Sequence, residues 1–136
     1  MNNYIRWKQR FQNFENAFKV FQRRIDEYQQ YSDTEAYQMA LIQAFEMIQE
    51  LSWKVLKDYL ENEGYEDVNN ARKVFRTAFQ EEIITKDVEV WMDSIKNRNL
   101  TSHTYDENTL IEILTYVNNE FYSSVRNLYH KLKKEL

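Results

Sequence analysis

A chain of 136 residues is long enough for one domain with a real core, and a single domain over residues 1–136 is expected. It contains no Pro and one Gly, Gly64, which excludes β-rich and loop-rich folds because turns draw on both residues. The absence of Cys removes disulfides, thiolate metal sites and a Cys nucleophile, two His exclude a multi-His metal centre, and a net charge of −4 argues against a general nucleic-acid coat protein.

The first predicted helix runs from about Ile5 to Gln30, with Trp7, Phe11, Phe14, Phe18, Phe21, Ile25 and Tyr28 at alternating steps of four and three. That is the seam of an antiparallel bundle helix. Ser32-Asp33-Thr34 is a polar break with a capping candidate, and a second helix follows to about Glu63, where Gly64 fits the left-handed stop position. Its main face carries Tyr37, Leu41, Phe45, Ile48, Leu51, Val55 and Tyr59. Met39, Ile42, Met47, Trp53 and Leu56 lie off that stripe, an excess that predicts burial against a second subunit or around a central helix.

A short third helix starts at the Asn69-Asn70 cap and carries Val74, Phe75, Ala78 and Phe79. Glu81 to Asp87 link it to a fourth, from Val88 to near Asn99, with Trp91, Ile95 and Arg98 on one stripe. The fifth is predicted as one long helix from Tyr105 to about Lys134, with Leu110, Leu114, Val117, Phe121, Val125, Leu128 and Leu132 in phase. Long helices with short connections predict an all-α, up-and-down antiparallel bundle of four to five helices. The aromatic stripes read as core. No stretch reaches the ~18 apolar residues needed to cross a bilayer and no apolar signal region opens the chain, so a soluble, cytoplasmic protein is expected.

Charge is uneven along the chain. Residues 1–30 carry six basic and three acidic side chains, whereas residues 31–68 carry two basic and nine acidic. An RNA contact would have to use local basic stripes, such as Arg72, Lys73 and Arg76 or the tail from Arg126 to Lys134, although a solvated face is the simpler reading of the tail. The acidic second helix would repel RNA and suits a basic partner.

The string Lys96-Asn97-Arg98-Asn99-Leu100-Thr101-Ser102-His103-Thr104-Tyr105 contains an Arg-x4-His-x-Tyr pattern. Arginine offers a cationic fork for phosphate, and histidine moves protons near neutral pH. Thr104-x-x-Glu107 reads as a capping box, which would put His103 just before the N-cap and Tyr105 in the first helical turn. On spacing alone, a helix-ending arginine, a loop histidine and a packing tyrosine are the simpler reading of the string. Glu46, Glu50, Trp53 and Lys57 line one side of the second helix. The two carboxylates could bind metal or shuttle protons, could pair with Lys54 and Lys57 along the helix, or could orient Arg98; pairing is favoured on propensity. No glycine-rich phosphate loop occurs, nor the Gly-Ser and paired-Asp signature of nucleotidyltransferases, so any nucleotide transfer belongs to another polypeptide.

These strings together carry a resemblance over nearly the whole chain. Arg6-Trp7-Lys8-Gln9-Arg10-Phe11-Gln12-Asn13-Phe14, Gln43-Ala44-Phe45-Glu46, Glu50 through Leu60, Ala78-Phe79 and Trp91, with Arg98-Asn99 and His103-Thr104-Tyr105, resemble the HEPN superfamily. The closer likeness is to its small members encoded beside minimal nucleotidyltransferases, the nucleotidyltransferase substrate-binding proteins or HepT-type toxins. The resemblance implies a HEPN-like bundle, a homodimer with two motifs in one cleft, and a nearby nucleotidyltransferase as partner. It implies a metal-independent endoribonuclease toxin of a toxin–antitoxin pair, needing no cofactor, with Arg98 and His103 catalytic on RNA and Asn99, Glu46 and Glu50 in support. Tyr105 would be the regulatory residue, silenced by AMP transfer. The alternative it implies is a non-catalytic substrate-binding subunit of the nucleotidyltransferase.

Overall fold

The computed structural model describes residues 2–136, and every regular element among them is helical. Helix α1 spans Asn3–Gln30 and α2 spans Glu35–Asn62. They are followed by α3 (Ala71–Gln80), α4 (Val88–Leu100), α5 (Glu107–Tyr116) and α6 (Tyr122–Lys133). Local chemistry sets several of these ends. The Asn2 side chain accepts from the Ile5 amide and that of Asn70 from the Lys73 amide, each satisfying an orphan donor of a first turn. At the end of α2 the Tyr65 amide returns to the Leu60 carbonyl and the Gly64 amide to that of Glu61, with Gly64 at φ 97°. This is the glycine stop that the sequence predicts. Helix α3 ends with the same wiring, Ile83 to Ala78 and Glu82 to Phe79, but there Glu82 takes the left-handed position at φ 61°.

Pairings between helices fix the topology. Arg10 meets Asp58 and Trp7 meets Tyr59, so α1 and α2 run antiparallel. Gln49 donates to Ser94 and Arg98 reaches Glu46, so α4 runs antiparallel to α2. Phe18 stacks on Tyr122 while Phe11 stacks on Tyr129 and Gln29 bonds Asn118, which sets the C-terminal helices antiparallel to α1. The result is an up-and-down bundle with short α3 set beside it. Its core is aromatic: Phe45, Phe75, Trp91 and Phe121 interlock at centroid separations of 5.1 to 5.3 Å. Fully burying side chains of this size stabilises by roughly 2–3 kcal/mol each.

Helix α2 is the central element. Ile42 and Leu56, off the predicted stripe, are buried by the chain's own helices, whereas Met39 and Met47 are exposed and Trp53 is half-buried. Part of the apolar excess, Ile42 and Leu56, is therefore a consequence of α2 being surrounded, while the two methionines and part of Trp53 remain open to solvent. Phe79, grouped with the apolar face of α3, is also exposed.

The predicted fifth helix differs in two ways. It begins at Glu107 with Asp106 as N-cap residue, and Thr104 is a right-handed turn residue outside it, so the Thr104–Glu107 capping box does not form. The chain leaves α4 through one 3-10 turn, Thr101–His103, and Tyr105 falls in the turn before the helix rather than in its first turn. Further on, a π-helical segment, Val117–Phe121, separates α5 from α6 while the backbone stays right-handed through both junctions. The wider turn stacks Tyr116 on Phe121, five residues on, with centroids 5.8 Å apart. The Tyr116 hydroxyl donates to the Val90 carbonyl at 2.5 Å and ties α5 to α4.

Candidate functional site at the end of helix α4

Arg98 lies in the last turn of α4, on the side facing α2. Its Nη1 donates to Glu46 Oε2 at 3.2 Å and to Thr101 Oγ1 at 3.3 Å. The Thr101 hydroxyl in turn lies 2.8 Å from Glu46 Oε2 and 2.7 Å from the Arg98 carbonyl, so one buried threonine links the arginine's backbone to its carboxylate. The Arg98 Nε is buried without a protein partner. Side-chain exposures of 39% for Arg98 and 35% for Glu46 leave this pair open to solvent on one side, where an anion can approach. The Nη2 edge carries no hydrogen bond to another described residue.

Glu50, one turn along α2, is engaged differently. Its Oε1 pairs with Lys54 at 2.9 Å and its Oε2 accepts from Trp53 Nε1 at 3.2 Å. Burial alone would raise its carboxyl, but the bonds from Lys54 and Trp53 and the nearby charges of Lys54 and Arg98 hold it below the usual carboxylate range. Lys57 pairs with Glu61 instead. Of the three roles open to these glutamates in the sequence, Glu46 takes the orientation of Arg98 and Glu50 the pairing along the helix. Among the described residues no three His, Cys, Asp or Glu side chains group as a metal site.

His103 closes the 3-10 turn and is exposed, as is Tyr105, at 84%. The two side chains touch, His103 Nδ1 to Tyr105 hydroxyl at 3.2 Å, with rings edge to face. Asn99 is exposed and its backbone carbonyl accepts a long bond, 3.4 Å, from Ser102. The capping box expected directly after His103 is absent; Asp106 is the N-cap residue of α5, and its side chain accepts from the Thr109 hydroxyl at 2.7 Å.

Two neighbours of the motif escaped the sequence reading. Thr101 could have been found, since it stands three residues after Arg98, the spacing that returns a hydroxyl to the arginine's carbonyl. Asn97 is buried, donates to the Asp93 carbonyl at 3.0 Å and has an unpartnered Oδ1. Nothing in its sequence context marks it.

The all-helical up-and-down bundle agrees with the fold that the resemblance implies. The chain belongs to the nucleotidyltransferase substrate binding protein-like family, whose family model matches residues 9–134. No curated protein matches it. The match runs from the second turn of α1 past the end of α6 and includes Glu46, Arg98, His103 and Tyr105.

Proposed function

We propose that the protein is the toxin half of a two-gene pair, a metal-independent cytoplasmic endoribonuclease that a neighbouring minimal nucleotidyltransferase silences by AMP transfer to Tyr105. The observation that carries this reading is the junction itself: a glutamate- and threonine-held Arg98 beside an exposed His103 in contact with the Tyr105 hydroxyl. Family membership supports the partner class.

In this reading the protein acts as a homodimer, two motifs sharing one cleft. The free edge of Arg98 takes a non-bridging phosphate oxygen of RNA and stabilises the charge that grows there. His103 moves protons: one leaves the ribose 2′-hydroxyl as O2′ attacks phosphorus, and one reaches O5′ as the P–O5′ bond breaks. The products are a 2′,3′-cyclic phosphate and a 5′-hydroxyl. Glu46 and Thr101 position Arg98, and Asn99 and Glu50 are supporting residues, Glu50 through its charge near Arg98. AMP on Tyr105 adds bulk and negative charge beside His103 and repels the RNA backbone.

The test is cleavage of RNA by purified protein in EDTA, before and after incubation with the neighbouring nucleotidyltransferase, Mg²⁺ and ATP. Untreated protein should cleave and leave cyclic phosphate ends; treated protein should gain AMP mass and lose cleavage, and Tyr105→Phe should gain none and keep cleaving. Absence of cleavage, with AMP still added, would favour a non-catalytic binding subunit.

A further inference from the structure

The contact between Tyr105 and His103 has a chemical direction. A phenol is protonated near neutral pH and is then a poor nucleophile, so any group transfer to its oxygen needs somewhere for the proton to go. Among the described residues the hydrogen-bond partner of the Tyr105 hydroxyl is His103 Nδ1, at 3.2 Å. Other tyrosines are placed differently. The Tyr129 hydroxyl donates to Glu15 and that of Tyr59 to Glu63, and both phenols are held above the ordinary tyrosine value, by the Glu15 bond for Tyr129 and chiefly by burial for Tyr59. Tyr4 and Tyr31 are exposed, but neither hydroxyl has a histidine beside it among the described contacts. Tyr105 alone combines high exposure with an imidazole nitrogen at hydrogen-bond distance.

We propose that His103 is the general base for modification of Tyr105, so that the chain supplies part of the chemistry of its own silencing. This rests on the reading above that Tyr105 accepts AMP. The hydroxyl gives its proton to Nδ1 as the phenolic oxygen forms a bond to the α-phosphorus of ATP held by the nucleotidyltransferase. The bond from that phosphorus to the bridging oxygen breaks, and pyrophosphate departs with the electron pair. The transferred proton leaves an imidazolium beside the new phosphodiester anion, where a charge-assisted hydrogen bond holds it. A chain that loses His103 therefore loses rapid modification along with cleavage.

Two measurements test the proposal. In the first, AMP incorporation into the wild type and His103→Ala is timed with the neighbouring nucleotidyltransferase; His103 is exposed, so the variant keeps its fold. The rate should fall by about 100-fold or more, the lower end of what a general base contributes, and added imidazole should restore part of it. Modification of His103→Ala at the wild-type rate, or a slower rate that imidazole does not raise, would overturn the proposal. The second needs no enzyme: an aryl sulfonyl fluoride should label Tyr105 at least about tenfold faster than Tyr4 or Tyr31, and the advantage should vanish in His103→Ala. Equal labelling of the three tyrosines would also overturn it. Should the nucleotidyltransferase transfer no AMP to the wild type, the silencing mechanism falls, and the labelling result alone decides whether His103 activates Tyr105.

Discussion

Of the arginines that reach carboxylates on α2, Arg10 and Arg98 are held in opposite ways. Arg10 of α1 donates from Nε to Asp58 at 2.9 Å, and the Asp58 side chain is only 3% exposed. The pair sits beside the packed rings of Trp7, Phe11 and Tyr59, next to the looser Arg6–Glu61 contact, and fixes the register of the α1–α2 hairpin. Arg98 of α4 meets Glu46 at a longer 3.2 Å, with both side chains more than a third exposed and a threonine hydroxyl shared between them. Burial decides the difference. A carboxylate out of water must keep its partner, whereas a half-solvated pair contributes about 1 kcal/mol or less and can exchange its partner for another anion. The first is a structural lock and the second an adjustable grip on a cation.

Breaking the closed pair should have the larger effect on stability. Arg10→Ala strands the Asp58 carboxylate and should cost roughly 2 kcal/mol, less than the about 3–5 kcal/mol of a wholly buried pair because a third of the Arg10 side chain already faces water. Denaturant titration checks this, and a loss below about 0.5 kcal/mol would mean that Asp58 finds other donors.

The open pair can be sharpened through Thr101. Thr101→Val keeps the shape but removes the hydroxyl that connects Glu46 to the Arg98 backbone. Stability should fall by about 1 kcal/mol, while cleavage falls roughly tenfold because the guanidinium loses its fixed orientation. A variant equally destabilised but fully active would make Thr101 a packing residue only.

A third carboxylate, Glu15, gives the smallest effect and a pH signature. The Tyr129 hydroxyl, 2.5 Å away, is the largest cause holding its carboxyl below the ordinary carboxylate value, opposed by burial and helped by Lys19 and Lys133. A depressed folded value means stability that is present above pH 4.5 and lost as pH falls through the lowered value. The raised Tyr129 value, above 10.0, means stability that is present below pH 10.0 and lost as pH climbs through the raised value. Tyr129→Phe keeps the ring stacked on Phe18 and should therefore be less stable by about 1 kcal/mol between these limits, with the gap closing in acid. A gap that persists unchanged at pH 2.5 would mean that the hydroxyl acts through packing rather than through the ionised carboxylate.

Much of the fold was legible because helix periodicity and the residues that stop helices act locally. The seam from Trp7 to Ile25 is buried as spaced, and Gly64 and Asn70 sit at the ends they predict. Less legible were features decided by competition between similar residues. Thr104 and Asp106 are both plausible caps, and Thr101 tips the balance by continuing α4 into a 3-10 turn that leaves Thr104 outside the next helix. Glu82 takes a left-handed stop position that Gly or Asn commonly fills, so its residue type does not announce it. The π turn at Val117–Phe121 has neither Pro nor Gly to announce it, and the residues spaced as one helix, from Leu114 to Leu132, are buried on both sides of it. At the site, the residue types and their spacing were visible in the string. The clamp that holds Arg98 was not, because Glu46 and Thr101 are 55 positions apart and only tertiary packing joins them.

The most direct measurement is RNA cleavage in chelator by the wild type, Arg98→Ala and Arg10→Ala, compared per folded molecule. The account predicts that the wild type and Arg10→Ala cleave alike and leave cyclic phosphate ends, while Arg98→Ala, with its fold intact, loses about 100-fold or more. An Arg98→Ala variant that cleaves like the wild type would contradict the assignment of this junction as the site of chemistry.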